Sequence, residues 1–397
     1  MRIDTGRISA LLAGAAAAVL GGAPVAAHAA PATGAILGAG SAGAIGNSYI
    51  VVLKPGAAGA GLAQRYGAQV TDDYDTAVRG FAARMTTTRA RRLAADPAVS
   101  YVEQDATVAP AGTGPTWGLD RIDQRELPLS RTYAGPSAAG VTAYVLDTGV
   151  RITHQEFGGR ATNGYDFVDK DNVAQDCNGH GTHVAGTIGG ATRGVAKDVK
   201  LVAVRVLGCN GSGSYANIIA GIDWVTKHAH GPSVANMSLG GTVSKALDDA
   251  VNRSIAAGVT YAVAAGNDHK DACRQSPADD PAAITVGATD STDRRASFSN
   301  YGSCLDLFAP GVRIESASNR SNTATMIMNG TSMASPHVAG AAALVLGVHP
   351  DWTPAQVRDG LVAQATPGTV TSAGNRSPAK ELYTGFLNPQ AGATSHR

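Results

Sequence analysis

The chain has 397 residues, with 32 basic and 31 acidic side chains and a net charge of +1 when histidine is neutral. So even a balance excludes the basic stripe of a nucleic-acid binder and a field that would draw acidic substrates. With 49 glycines and only 5% aromatic residues, the chain favours tight turns and close backbone packing, and its length admits one large domain beside a smaller one.

Arg2 and Arg7, the uncharged apolar run Leu11–Leu20 and the small residues Ala26–Ala30 have the layout of a secretion signal over residues 1–29. The run is short for a membrane span and no second long apolar stretch follows, so no membrane association is expected. A Gly/Ala-rich linker occupies 30–46. "NSYIVVLKPG" then reads as a strand closed by Pro-Gly, and "VRGFAARM" as another. "TTRARRLAADPAVSYVE" reads as a helix ending before Pro97, followed by a further strand. Residues 47–108 thus make a small α+β unit of roughly sixty residues, close to the lower limit for an independent core. "APAGTGP" (109–115) is a breaker and a natural place for a cut.

From Trp117 the pattern changes. "VTAYVLDTG" is a buried strand ending at Asp147, and "VKLVAVRVLG" a second. "SYANIIAGIDWVTKHA" presents a helical apolar face through Ile218, Ile219, Ile222 and Val225. "SVANMSLGG" is a third strand, "KALDDAVNRSIAAG" a helix ending at Gly258, "VTYAVAAGN" a fourth strand and "AITVGATD" a fifth. Apolar strands alternating with helices imply an α/β domain over 116–388, with a mostly parallel sheet covered by helices on both faces. Residues 389–397 read as a tail. In such sheets sites gather beyond the carboxyl ends of the strands, which singles out Asp147, Gly240, Gly241 and Asn267.

Cys177, Cys209, Cys273 and Cys304 make an even set in a chain expected to be exported, which points to disulfides. Three connectivities are open, four free thiols are the alternative, and pairing of neighbours, Cys177–Cys209 and Cys273–Cys304, is expected. The spacings match no zinc pattern.

Three stretches carry candidate chemistry: "VLDTGV" around Asp147, "NGHGTHVAGTIGG" around His180 and "NGTSMASPHVAG" around Ser332. Each has an ordinary reading. Asp-Thr-Gly is turn chemistry, Ser before an apolar helix is a cap, and His180 with His183 could share a helix face as a metal pair. Against the metal pair, no third ligand is evident. Taken together the three supply a nucleophile, a base and an orienting acid, the set that acyl transfer needs.

In order along the chain, "DTGV", "GHGTHVAG", "NMSLGG", "AAGN", "SFSNYGS" and "GTSMASPHVAG" resemble the subtilisin-like serine peptidases, within them the proteinase K branch and its aqualysin-like secreted enzymes. The resemblance implies Asp147, His180 and Ser332 as the catalytic three, with Asp147 fixing the imidazole tautomer. Asp176, in a polar loop, is the weaker candidate for that task, and His183 and His337 are expected to be packing residues. Asn267 would be the oxyanion donor beside the Ser332 N–H. "CNGSGSY" and "NMSLGG" would sandwich a peptide as an added strand, through Ser212, Gly213, Ser238, Leu239 and Gly240. Composition alone would make the first of these a plain loop. Ala264, Ala265 and Gly266 would wall the pocket for the side chain before the cut bond, with no charge visible, so apolar or aromatic residues are expected there. Pro336 is placed near the first turn of the serine helix, where a missing N–H costs least.

The family also implies a calcium ion on Asp306 and the carbonyls of Pro281 and Ala283, oxygen ligands of the kind Ca²⁺ takes. The unit 47–108 is similar to the inhibitor-type propeptide, an intramolecular inhibitor and folding aid cut away near 107–113. The expected molecule is a secreted, autoprocessed, monomeric endopeptidase of broad specificity acting on proteins and peptides. A non-cutting peptide-binding homologue is the second class. A lipase or esterase would instead show G-x-S-x-G and the order Ser, Asp, His.

Overall fold

In a computed structural model the described residues are 32–39, 44–76, 78–106 and 114–388. The expected secretion signal, most of the processing segment and the 389–397 tail lie outside them. The chain divides into two units, Met1–Val108 and Ala109–Arg397.

In the first unit a five-stranded sheet runs in the order Ile36–Leu37, Val99–Ala106, Ala44–Leu53, Gly80–Arg84, Gln69–Tyr74. Its central pairs are antiparallel. The helix Thr87–Ala94 begins where the Thr86 hydroxyl accepts from the Arg89 N–H and packs Ala90 and Leu93 onto Tyr49, Val51, Phe81 and Val102. The expected linker 30–46 is partly built into this sheet. Ile36 and Leu37 pair with Val102 and Glu103, and the Gly34 N–H donates to the Arg91 carbonyl. Backbone pairing there outweighs the flexible Gly/Ala composition.

The second unit carries a nine-stranded sheet in the order Thr366–Pro367, Lys380–Glu381, Leu307–Pro310, Ile284–Thr289, Val259–Ala264, Ser233–Met237, Thr142–Asp147, Lys200–Arg205, Ala161–Asp166. All pairings are parallel except that of the two short strands at the C-terminal edge. Alternation sorts side chains onto two faces. Ala143 and Val145 join one core with the helices His180–Gly189, Thr331–Val348 and Pro354–Gln364. Tyr144 and Leu146 join the other with Tyr215–His228 and Lys245–Ala256. Thr331–Val348 is apolar all round and buried along nearly its whole length, as a helix running through a core must be.

Two details of these helices shape the site. Gly181 is required because a Cβ there would meet the Gly149 carbonyl oxygen at 2.1 Å, so only glycine lets the histidine helix approach the Asp147 strand this closely. Pro336 lies just beyond the first turn. Its missing N–H leaves the Ser332 carbonyl without an intrahelical donor. The Ser238 hydroxyl fills that gap at 2.8 Å.

Candidate active site

Three neighbouring parallel strands end close together. Asp147 closes one, Ser238 follows the second, and Ala265, Gly266 and Asn267 follow the third. The histidine and serine helices start beside them. Asp147 is fully buried, and its Oδ1 accepts from the His180 Nδ1–H and from the Thr148 N–H, both at 2.7 Å. Burial by itself presses the His180 imidazole toward neutrality. The Asp147 charge, the hydrogen bond to it and the Asp176 charge outweigh burial and hold the pKa above the ordinary histidine value.

Ser332 is the second residue of its helix and not its cap; the cap position is Gly330, at φ 153°. In the resting rotamer its hydroxyl donates to the Ser238 carbonyl at 3.2 Å. His180 and Ser332 line one cleft of about 760 Å³, walled on one side by residues 211–215 and on the other by 238–241. Ser212, Gly213, Ser238, Leu239 and Gly240 are all in its lining.

Asn267 is oriented by its neighbour. Its Oδ1 accepts from the Thr331 N–H at 2.8 Å and the Thr331 hydroxyl at 3.0 Å. With the oxygen engaged on that side, Nδ2 is left for a recess of about 250 Å³ that Asn267 lines together with Ser332, Ala264, Gly266, Leu239 and Gln275. The sequence reading of this recess needs two corrections. Ala265 does not line it, because alternation turns its methyl into a separate buried cluster with Ala272, Ala278 and Phe308. A charge does line it: Asp268, whose Oδ2 accepts from the Gln275 side chain at 2.7 Å. Gln275 lies eight residues beyond Asn267 and carries no motif, so only the fold reveals it.

His183 and His337 are buried and neutral, each pushed by burial to about 4, donating to the Ile314 and Met333 carbonyls respectively. Asp176 sits in the polar loop expected of it, but its carboxylate is not solvated. It is 4% exposed and bonded to the start of the histidine helix. The sulfurs of Cys177 and Cys209 are joined, as are those of Cys273 and Cys304. The first bridge stands three residues before His180, and the Asn178 amide adds a 2.8 Å bond to the Cys209 carbonyl.

Among the described residues no cluster of three or more His, Cys, Asp or Glu is placed to hold a metal. The expected calcium set contains one carboxylate. Asp306 accepts from Arg358 Nη2 at 2.6 Å on one oxygen and from the Thr285 N–H at 2.8 Å on the other. Burial nevertheless raises its pKa, outweighing both partners. Both oxygens are thus engaged by protein donors, and a cation at this place would have to share the carboxylate with Arg358.

Residues 138–385 match the subtilase family (peptidase S8), and residues 48–111 match the peptidase inhibitor I9 family. An extracellular serine proteinase of Thermus sp. (strain Rt41A) is 59% identical over 81% of this chain and 79% of its own length. Alkaline serine exoprotease A of Vibrio alginolyticus is 54% identical over 77% of this chain and 59% of its own. The crystal structure of a cold adapted subtilisin-like serine proteinase superposes with a TM-score of 0.67 at 55% identity, covering 68% of this chain and 99% of that one.

Proposed function

The chain belongs to the subtilase family, and from that membership and the geometry of the cleft we propose an endopeptidase whose catalytic three are Asp147, His180 and Ser332. It is a secreted subtilisin-like serine proteinase with an inhibitor-type propeptide unit ahead of its peptidase domain. The observation that carries the catalytic assignment is the 2.7 Å bond from His180 Nδ1 to a fully buried Asp147, in the same cleft as Ser332.

The Nδ1–H bond fixes the tautomer in which Nε2 is free to accept a proton. To lose its proton the Ser332 hydroxyl must leave the Ser238 carbonyl and turn toward that nitrogen; such bonds often form only when substrate binds. The peptide lies as a strand between 211–215 and 238–241. Ser332 Oγ forms a bond to the scissile carbonyl carbon as His180 takes its proton. The resulting oxyanion is met by Asn267 Nδ2 and by the Ser332 N–H, which lies in the first turn where no intrahelical acceptor exists. The tetrahedral species then expels the amine, which takes the proton from His180. Water repeats the sequence on the acyl-enzyme, returning Ser332 as the hydroxyl and releasing the acid.

Ala264, Gly266 and Leu239 make the recess partly apolar, and the Asp268 carboxylate that also lines it is engaged by Gln275, which supports a broad specificity with apolar or aromatic side chains before the cut bond. Calcium, bound by Asp306 and the Pro281 and Ala283 carbonyls, would act on stability and not on chemistry. Segment 47–108 serves as propeptide, removed by the enzyme itself near 107–113. Casein hydrolysis and a peptide-library profile test the activity: intact casein favours the non-cutting homologue, and cleavage dominated by Arg or Lys overturns the specificity. A Ser332→Ala protein stays full length if processing is intramolecular. Normal maturation in a protease-free host assigns the cut to another enzyme.

A further inference from the structure

The histidine helix starts on Gly179, which has no side chain with which to cap it. Its first N–H groups are instead satisfied from a distance. Asp176 Oδ1 accepts from the N–H groups of Asn178 and Gly179 at 2.9 and 2.8 Å, and Oδ2 accepts from the Thr182 N–H at 2.9 Å and the Thr182 hydroxyl at 2.5 Å. The same Oδ1 accepts from the Thr148 hydroxyl at 2.9 Å. Thr148 is the residue after Asp147, and its oxygen in turn accepts from the Gly181 N–H at 3.0 Å. One carboxylate, 4% exposed, therefore ties both neighbours of His180 in the chain to the residue beside its acid partner.

We infer that Asp176, outside the catalytic three, is a positioning residue for His180: it locks the start of the histidine helix against the end of the Asp147 strand and places a second negative charge beside the imidazole. A carboxylate suits the place because every contact it makes is with a donor, and because negative charge is favoured at a helix N-terminus. Asparagine has the same shape but turns an NH₂ toward N–H groups that cannot reverse. The titratable groups facing His180 are few. Asp147 comes from the strand, Asp176 from the preceding loop and His183 from the next turn of its own helix; His337 of the serine helix acts on His183, and both of these histidines are neutral. The inference rests on the serine-peptidase reading above.

The test uses the full chain, expressed for export, with a chromogenic peptide carrying Phe before the cut bond, followed across the range in which histidine titrates. Asp176→Asn is expected to lower kcat by about 10–100-fold with KM nearly unchanged, the cost of a displaced catalytic group. Its acid limb should move to lower pH, because an imidazolium that has lost a neighbouring negative charge gives up its proton more readily. Glu156→Gln is the comparison. That buried carboxylate accepts from Thr192 and Arg193 and touches none of the three, so its loss should lower Tm without moving the acid limb. If Asp176→Asn does not fold, Thr148→Val and Thr148→Ser report on the tie with the carboxylate left in place: valine lowers kcat and serine restores it. A parent that does not cut the peptide overturns the peptidase reading and this inference with it. A parent that cuts, with Asp176→Asn keeping its kcat and acid limb, or with Thr148→Val as active as the parent, overturns the inference alone.

Discussion

At Asn267 a single neutral amide is held by one neighbour, Thr331, through two hydrogen bonds to its oxygen. Asn267→Ala should therefore lower kcat by about 10²–10³-fold, some 2.7–4 kcal/mol, with little change in KM; that magnitude is the one measured on a subtilisin's own oxyanion asparagine. Steady-state kinetics on the peptide substrate check it. His180 yields a second expectation at this scale. With its neutral form as the proposed base and its pKa raised, kcat/KM should fall with decreasing pH through a midpoint above about 6.5. The linkage to stability has the opposite sign. The folded state binds this proton more tightly than the unfolded chain, so the stabilisation is fully present below about 6.5 and is lost as pH rises through the raised pKa. Individual residues were unevenly legible in the sequence. Asp147, His180 and Ser332 stand in distinctive stretches. Asp176 sits in "QDCNGHG", which reads as a polar loop, and only the convergence of Thr148 and Thr182 on it shows that its carboxylate is buried. Asp268 and Gln275 escaped for a similar reason: they meet across the recess through a side-chain bond that no linear pattern encodes.

Among the elements, the two disulfides close loops of nearly equal length, with sequence separations of 32 and 31. Chain entropy alone assigns each about 3–4 kcal/mol of stability. Their positions differ, so their effects on activity should too. Replacing Cys177 and Cys209 by Ser should lower Tm and also raise KM several-fold, because that bridge joins the histidine loop to the segment walling the cleft. Replacing Cys273 and Cys304 should lower Tm alone. Thermal melts with Michaelis kinetics on both double variants separate these outcomes, and a KM change shared equally by the two would contradict the reading. The strands that carry the site were readable because they are apolar runs bounded by turn residues. The edge strand Ala161–Asp166, "ATNGYD", was not. It is polar, contains a glycine and pairs on one side only, so neither alternation nor β-propensity marks it. Leu307–Pro310 is four residues long and ends in proline, which argues against a strand even though it pairs with Ile284–Thr289.

The whole molecule is two units with separate cores, and each was visible as a change of pattern near residue 109. What composition misjudged was the glycine- and alanine-rich stretch before residue 47, whose backbone pairs into the first sheet. At this scale the proposed calcium concerns stability. If a cation shares Asp306 with Arg358, chelation should lower Tm and speed autolysis while leaving kcat of the surviving enzyme unchanged. Calorimetry with and without chelator decides, and identical melting curves would remove calcium from the account. The proposal on which the others rest is that Ser332 is the nucleophile, served by a His180 that Asp147 already holds. An organophosphorus reagent directed at serine hydrolases, followed by mass spectrometry of the digested protein, tests it most directly. One label per molecule is expected, on Ser332, with activity lost in proportion to labelling; activity lost with the label on another residue would rule Ser332 out as the nucleophile.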